Sequence, residues 1–251
     1  AFDPARRNRA APRKRGSAGN EAPVETEVAL EDGIDDLDAH RLLNGGPVAL
    51  VTTRWRTSSD VMPAIWHTPL SRVPPLLGVV VHPSRHTHDM MRFSEQFALN
   101  FPARDLLNHT HYFGMVSGRD VGKLELSKLA TFGASKIDVP LLANCVAWVE
   151  CVLEDTHRLG DHTLFIGRIV AVQADKEAFD ETWLTDDPAY RPVHYLGVDR
   201  YATLGERLTP ALRTSEDGAI ELHETTAERE EREEHEAMER ERRERDPEAP
   251  V

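Results

Sequence analysis

From about Ile34 to Gly205 the chain alternates short apolar runs with clusters of turn residues. The segment IDDLDAHRLLNGG spaces Ile34, Leu37, Leu42 and Leu43 at near-helical intervals and stops at a glycine pair, which predicts a helix. PVALVTTRW follows as a strand, and SSD turns the chain into VMPAIWHTPLS, read as one further strand from Val61 to Ser71. PPLLGVVVHPS is a β-branched run fenced by prolines, so it predicts a buried strand ending at Pro83. HTHDMMRFSEQ has the residues of a short helix, FALNFP those of a strand, and ARDLLNHTHYFGMVSG those of a helix ended by glycine. VGKLELSKLATFGASKIDVPLL reads as an irregular connection. NCVAWVECVLEDTHRLGDHTLFIGRIVAVQAD holds two long strands joined as a hairpin across THRLGDHT, and RPVHYLGVDRYATLG closes the domain. About six strands outnumber the short helices without alternating regularly with them. The pattern predicts a mainly β fold, an antiparallel barrel with short helical insertions.

The ends of the 251-residue chain differ from this middle. Residues 1–33 carry a basic run and then an acidic one with no apolar periodicity, and are expected to be a disordered arm. Residues 34–206 form the expected domain, and 207–251 a linker and a tail of nearly pure Glu and Arg. Pairs four apart with the acid first, such as Glu228–Arg232 and Glu236–Arg240, favour a solvated helical tail, and no a/d stripe supports a coiled coil. The tail as a partner-docking segment, with the barrel as its scaffold, stays open as a reading. No apolar run is long enough for a membrane span and no leader pattern follows the basic residues, so the expectation is a cytoplasmic protein without a membrane partner. A net charge of −13 argues against a nucleic-acid partner. Cys145 and Cys151, on one strand, would share a face about 20 Å apart, beyond disulfide reach, and are expected to be reduced core residues.

Several chemistries lack their signature: there is no GxGxxG after a strand, no GxxxxGK[ST] and no GxSxG. His82, His86 and His88, or His109 and His111, lie where helices or their starts are expected, with no Cys or acid completing a tetrahedron, so no metal site is assigned. In HPSRHT a strand ends at Pro83, and Ser84, Arg85 and Thr87 precede a helix. Hydroxyls, a guanidinium and free first-turn amides together suit a phosphate, although Ser84 or Thr87 could equally be a helix cap. Upstream, DVMPAIWHTPLS crowds Trp66, His67, Thr68 and Ser71 into one strand-like run, more polar atoms than a packed core accepts without partners. An elongated ligand with a flat polar ring near Trp66–Ser71 and a phosphate at Arg85 fits both, and flavin mononucleotide has that shape.

At this point the sequence resembles the flavin reductase-like, FMN-binding split-barrel family, and within it the flavoredoxin-like branch. The resemblance runs from about residue 38 to 205 and rests on DVMPAIWHTPLSRVPPLLGVVVHPSRHTHDMM, FALNFP, YFGMVSGRDVGKLE, CVAWVECVLE with GDHTLFIGRIVAV, and VHYLGVDRYATLG, in that order. It implies a six-stranded antiparallel split barrel of Greek-key type and a homodimer with FMN near the interface. It places Trp66, His67, Thr68, Pro69, Leu70 and Ser71 along the isoalloxazine and ribityl chain, and Ser84, Arg85, His86 and Thr87 at the phosphate. Asn100 falls at a flavin-side position, and Gly118 and Lys123 fall in the block closing over the cofactor. The chain departs from the family with Asp60 where Asn is usual and Gly122 where Asp is usual. The implied activity is FMN-dependent hydride transfer from NADH or NADPH, with a partner oxygenase or another electron acceptor downstream. The alternative is a non-catalytic electron carrier or flavin store. Lys123 is the candidate for charge developing on the reduced ring, or else a surface ion pair. His162 is the candidate for a nicotinamide or substrate contact, or else a turn residue bonded to its own loop.

Overall fold

The computed structural model describes His40, residues 42–208, and beyond them only Pro210, Arg213–Thr214, Ile220–Glu221, Glu233–His235 and Met238. The chain divides into two units, residues 1–43 and 44–251, and all of the strands named below belong to the second. The expected N-terminal arm, residues 34–39 and 41 of the helix expected at 34–46, and most of the charged tail lie outside the described residues.

Strands β1 (Ala49–Trp55), β2 (Ser58–Ala64), β3 (His67–Ser71) and β4 (Leu76–Val81) come first, then helix α1 (His86–Ser94) and β5 (Gln96–Pro102). Helices α2 (Leu107–Met115) and α3 (Lys123–Ser127) precede a small hairpin, β6 (Thr131–Gly133) with β7 (Pro140–Leu142). The long strands β8 (Cys145–Leu159) and β9 (His162–Ala174) follow, then two short hairpins, β10 (Phe179–Asp180) with β11 (Thr182–Trp183) and β12 (Val193–Gly197) with β13 (Arg200–Thr203).

The main sheet has seven antiparallel strands in the order β2-β1-β5-β8-β9-β4-β3. The run Val61–Ser71, expected as one strand, breaks at Ile65–Trp66 into β2 and β3, which pair with β1 and β4 at opposite ends of that order. Counted as one bent strand, the run brings the two ends of the sheet together, and the expected six-stranded barrel results. The break has a local bridge, since the Val80 N–H donates to the Trp66 carbonyl at 2.8 Å.

Alternation along the strands sorts the side chains into layers. Val51, Met62, Val79, Phe97, Leu99 and Phe165 form one core cluster, whereas Leu50 and Val61, one step out of phase, pack under Phe113 of α2. Gly167 is required where β9 crosses Phe97, because a Cβ there would fall 2.9 Å from Phe97 Cε1 and 3.0 Å from Cys151 Cβ. The two cysteines are reduced and buried but do not share a face. A bulge leaves Val146 unpaired between Ala147–Phe101 and Cys145–Pro102, so Cys151 joins the Phe97 cluster and Cys145 the Phe113 cluster. Burial pushes the Cys151 thiol up to about 12, which keeps it protonated and unreactive.

Helix α1 positions the site. Met90 and Met91 are buried, Met91 in the Phe97 cluster, and the helix stops at Glu95 in the left-handed conformation, whose N–H returns to the Met91 carbonyl. The connection expected to be irregular holds α3 and the β6–β7 hairpin, elements too short to signal themselves by periodicity.

Candidate functional site

Strand β4 ends at Val81, and the turn into α1 is closed by the Arg85 N–H donating to the His82 carbonyl at 3.0 Å. Arg85 occupies the cap position in extended conformation, and no side chain caps the helix. Ser84 and Thr87, the two possible caps, are engaged elsewhere: the Ser84 hydroxyl and N–H both meet His82 Nδ1, at 2.7 and 3.1 Å, and the Thr87 hydroxyl donates to Asp60 Oδ2 at 2.6 Å. The first turn thus presents its amides and the positive end of its dipole without a protein acceptor from a cap. Arg119 ties the neighbouring loop to this turn, donating to the Ser84 carbonyl and pairing with Asp89 Oδ2 at 2.7 Å. Burial pushes the Asp89 carboxyl up, but hydrogen bonds from His88 and Arg119 and their charges outweigh it and hold it below its ordinary value.

Behind the turn lies Asp60, 2% exposed, on β2 opposite Thr53. Its carboxylate receives Thr87, pairs with Lys123 Nζ at 3.3 Å and stands 3.5 Å from His86 Nδ1. Lys123 is itself buried and also donates to the Phe113 carbonyl at 3.4 Å, so its ion pair is an interior one, not the surface pair considered from the sequence. Burial pushes the Lys123 amine below its ordinary value, Asp60 pulls it back up by charge and hydrogen bond, and the nearby Arg85 guanidinium adds to the lowering. Gly118 packs so tightly here that a Cβ would fall 2.7 Å from both Asp60 Cγ and His86 Nδ1. Together Ser84, Arg85, His86, Thr87, Gly118 and Lys123 border a pocket of about 150 Å³, to which Ser117 and Val116 also contribute. Six of the residues anticipated from sequence are therefore gathered at one place. Asp60, met in the sequence only as a departure from a pattern, is the hub that gathers them. Its only mark in the sequence is a lone carboxylate after Ser58 and Ser59, at the head of the apolar run that starts at Val61.

A second compartment, about 240 Å³, shares Met62, Arg85 and Met115 with the first. Its apolar side comes from Val48, Pro63 and Ile65, and its polar side from His111, Tyr195 and Tyr201. Tyr195 and Tyr201 are register partners across the β12–β13 hairpin with ring centroids 5.1 Å apart, and the Tyr201 hydroxyl meets His111 Nδ1 at 3.1 Å. Burial first, then the neighbouring Tyr195 and Asp199, push the Tyr201 phenol above its ordinary value. Neither tyrosine of this hairpin was among the residues expected at the site. The available signal was a pair of tyrosines on either side of the turn, with Leu196 an extra residue on the Tyr195 side.

The remaining candidates divide. Trp66 packs against His162 with the rings tilted and their centroids 4.9 Å apart, and His162 meets His82 edge-on at 5.0 Å, so a ring cluster joins the hairpin tip to the turn that carries Ser84. His162 also bonds Asp161 at 2.7 Å, as the turn-residue alternative expected. His67 bonds the Pro47 carbonyl at 2.8 Å through Nε2 and packs edge-on against Phe101, while burial, opposed by that bond, lowers its pKa and keeps the ring neutral. Thr68, Pro69 and Leu70 are exposed on β3, and with Ser71 they border neither compartment. Asn100 is wholly buried with its amide donating to the Leu50 carbonyl and Thr52 Oγ1, and its oxygen accepting from the Leu142 N–H. It clamps β1 and β7 onto β5 and does not reach the groove.

Comparison with known proteins agrees with this architecture. The family model for the flavin reductase like domain matches residues 42–194. The uncharacterized Escherichia coli (strain K12) protein YddH is 32% identical over 176 residues, 68% of this chain and 93% of that protein. An FMN-binding protein from Thermus thermophilus, solved with 1-cyclohex-2-enone bound, superposes with TM-score 0.63 at 29% identity, over 74% of this chain and 100% of that one. Flavoredoxin of Desulfovibrio vulgaris (Miyazaki F) gives 0.62 at 25% identity, over 73% and 97%. A barrel closed by a bent strand, a groove at the start of α1 and a family match over more than half of the chain lead to one assignment: the chain belongs to the flavin reductase-like domain family.

Proposed function

We propose that the protein is an FMN-dependent oxidoreductase of the flavin reductase type that takes its reducing equivalents from NADH or NADPH. The observation that carries this reading is the uncapped start of α1, flanked by Arg85 and a buried Lys123 and opening onto a compartment walled by tyrosines. The fit to a phosphate is specific. Gly118 lets its loop close against Asp60 and His86, where a Cβ would collide with both, and His86 Nδ1, a buried atom at the pocket, has no hydrogen-bond partner among the described residues. Ser84, Arg85, His86 and Lys123 would hold the phosphate, with the first-turn amides, including that of Thr87, beneath it. Bound FMN supplies the redox chemistry, accepting a hydride and passing electrons onward.

The chain's own groups have narrower tasks. Arg85 and Lys123 fix the anionic end, and the apolar residues Val48, Pro63 and Ile65 keep water from one side of the second compartment. Tyr201, its hydroxyl held by His111, offers a polar contact to a flat ring on the other side. The Trp66–His162 pair gives a half-exposed platform for a nicotinamide. The homodimer belongs to the same proposal: Leu70 and Val73, exposed beside β3, form the surface that a second copy would cover, bringing Thr68–Ser71 to the ligand. A cytoplasmic location and delivery of electrons to a partner oxygenase or other acceptor complete it.

Purified protein is expected to be yellow or to quench FMN fluorescence, and to oxidise NADH or NADPH when FMN is present. Colourless protein indifferent to added FMN refutes the reading. Rapid-mixing traces of flavin bleaching with each nicotinamide identify the donor. A yellow protein that no nicotinamide bleaches is instead a carrier or store.

A further inference from the structure

The buried carboxylate of Asp60 sits in an unusual place for an anion site. It lies directly behind the pocket, touching Thr87 and Lys123 and standing 3.5 Å from His86, and does not itself border the pocket. Two full positive charges face or back the pocket, Arg85 and Lys123, and Asp60 cancels one of them. A phosphate monoester brings between one and a half and two negative charges near neutral pH. The side chains therefore fall about half a charge to one charge short of the ligand, and Asp60 repels the phosphate through a medium that screens far less than water.

The same carboxylate is needed when the pocket holds no ligand. Lys123 is 4% exposed, and a buried ammonium without a counter-charge is costly. Asp60 supplies that charge and keeps the α1 start and the Gly118 loop together, both of which contact it. A phosphate arriving at Lys123 takes over part of this role, so ligand and Asp60 compete for one cation.

We propose that Asp60 is a specificity-determining and positioning residue that keeps the ligand-free site folded and deliberately weakens its hold on the flavin phosphate, so that FMN exchanges as a substrate instead of remaining as a fixed prosthetic group. This rests on the FMN reading above and extends it. The protein then suits release of reduced flavin to an acceptor.

Titration of the full-length chain with FMN and with riboflavin, which lacks the phosphate, tests it. The wild type is expected to prefer FMN by no more than about tenfold, and Asp60→Asn, an isosteric change, to raise that preference by a further tenfold or so as one full charge is removed. Riboflavin affinity stays put. The variant without ligand melts at a lower temperature than the wild type, and saturating FMN narrows the gap. A residue with a merely structural role would weaken both flavins alike. An unchanged or reduced FMN-to-riboflavin ratio in the variant overturns the inference. So does a wild-type preference above about a hundredfold, which stands even where the variant does not fold. Absence of FMN binding to the wild type overturns the FMN reading and this inference with it, whereas tight FMN binding with no gain in the variant overturns this inference alone.

Discussion

Arg85 and Asn100 are both polar residues expected to touch the ligand, and their surroundings assign them opposite jobs. Arg85 is exposed, borders both compartments and caps nothing, so its side chain is available to a phosphate. Arg85→Ala is expected to remove most of the FMN-over-riboflavin preference, about 1 kcal/mol of FMN affinity, and to leave riboflavin affinity and melting temperature nearly unchanged. Unaltered FMN affinity would remove the phosphate from this turn. Asn100 makes three hydrogen bonds in a fully buried position, so Asn100→Ala leaves two acceptors and a donor without partners. The expected cost is roughly 2–4 kcal/mol of stability in denaturant titration, with an unchanged FMN-to-riboflavin ratio in the folded fraction. The sequence made Arg85 legible because a cation between a strand end and a helix start has few structural uses. The clamping role of Asn100 was not legible because its burial follows from β1 and β7, elements distant in sequence that close over it. Asp60 was unreadable as a hub for the same reason: its partners Thr87, Gly118 and Lys123 come from three later segments.

At the level of elements, alternation within a strand predicted the strands well but could not show where one strand changes neighbours. The run Val61–Ser71 keeps an apolar character through Ile65 and Trp66, so nothing local marks the break at which it leaves β1 for β4. The stretch before β7 is a second case. It reads as irregular because its order comes from a remote residue, Glu150 of β8, which is 1% exposed. The Glu150 carboxylate accepts from the Ser135 N–H at 2.8 Å, the Ser135 hydroxyl at 2.9 Å and the Lys136 N–H at 2.7 Å, setting Ile137 and Val139 over Ala98. Burial pushes this carboxyl up, but the hydrogen bonds outweigh it and the folded value lies below the ordinary 4.5. A depressed folded value means that the ionised group stabilises the protein above the unfolded value. That stability is lost as pH falls through the folded one. Glu150→Gln presents an amide N–H₂ to backbone donors and is expected to cost about 1–3 kcal/mol near neutral pH. Melting curves of both proteins, recorded downward in pH, should converge in the acid range below the folded value. A deficit that stays constant into acid would show that the charge contributes nothing.

For the molecule as a whole, the distribution of the expected ligand-facing residues is itself an argument about assembly. Those near α1 converge in one chain, whereas Thr68, Pro69 and Leu70 face outward on β3, the last strand in the sheet order. An exposed stretch of strand that carries apolar side chains invites cover by another surface. Leu70 is 44% exposed, Val73 92% and Trp66 37%, three apolar side chains in or next to β3 that meet solvent. If a second copy covers them, the same contact completes the wall around the flavin, and dimerisation and cofactor affinity are coupled. Leu70→Glu places a charge in that contact without disturbing the interior, because the side chain already meets solvent. Light scattering should then report a monomer where the wild type is a dimer, with FMN affinity lowered by about tenfold or more and the monomer's melting temperature little changed. A variant that stays dimeric and binds FMN as before would mean that β3 is free in the assembly, and the outward set Thr68–Leu70 would then have no part in the flavin site.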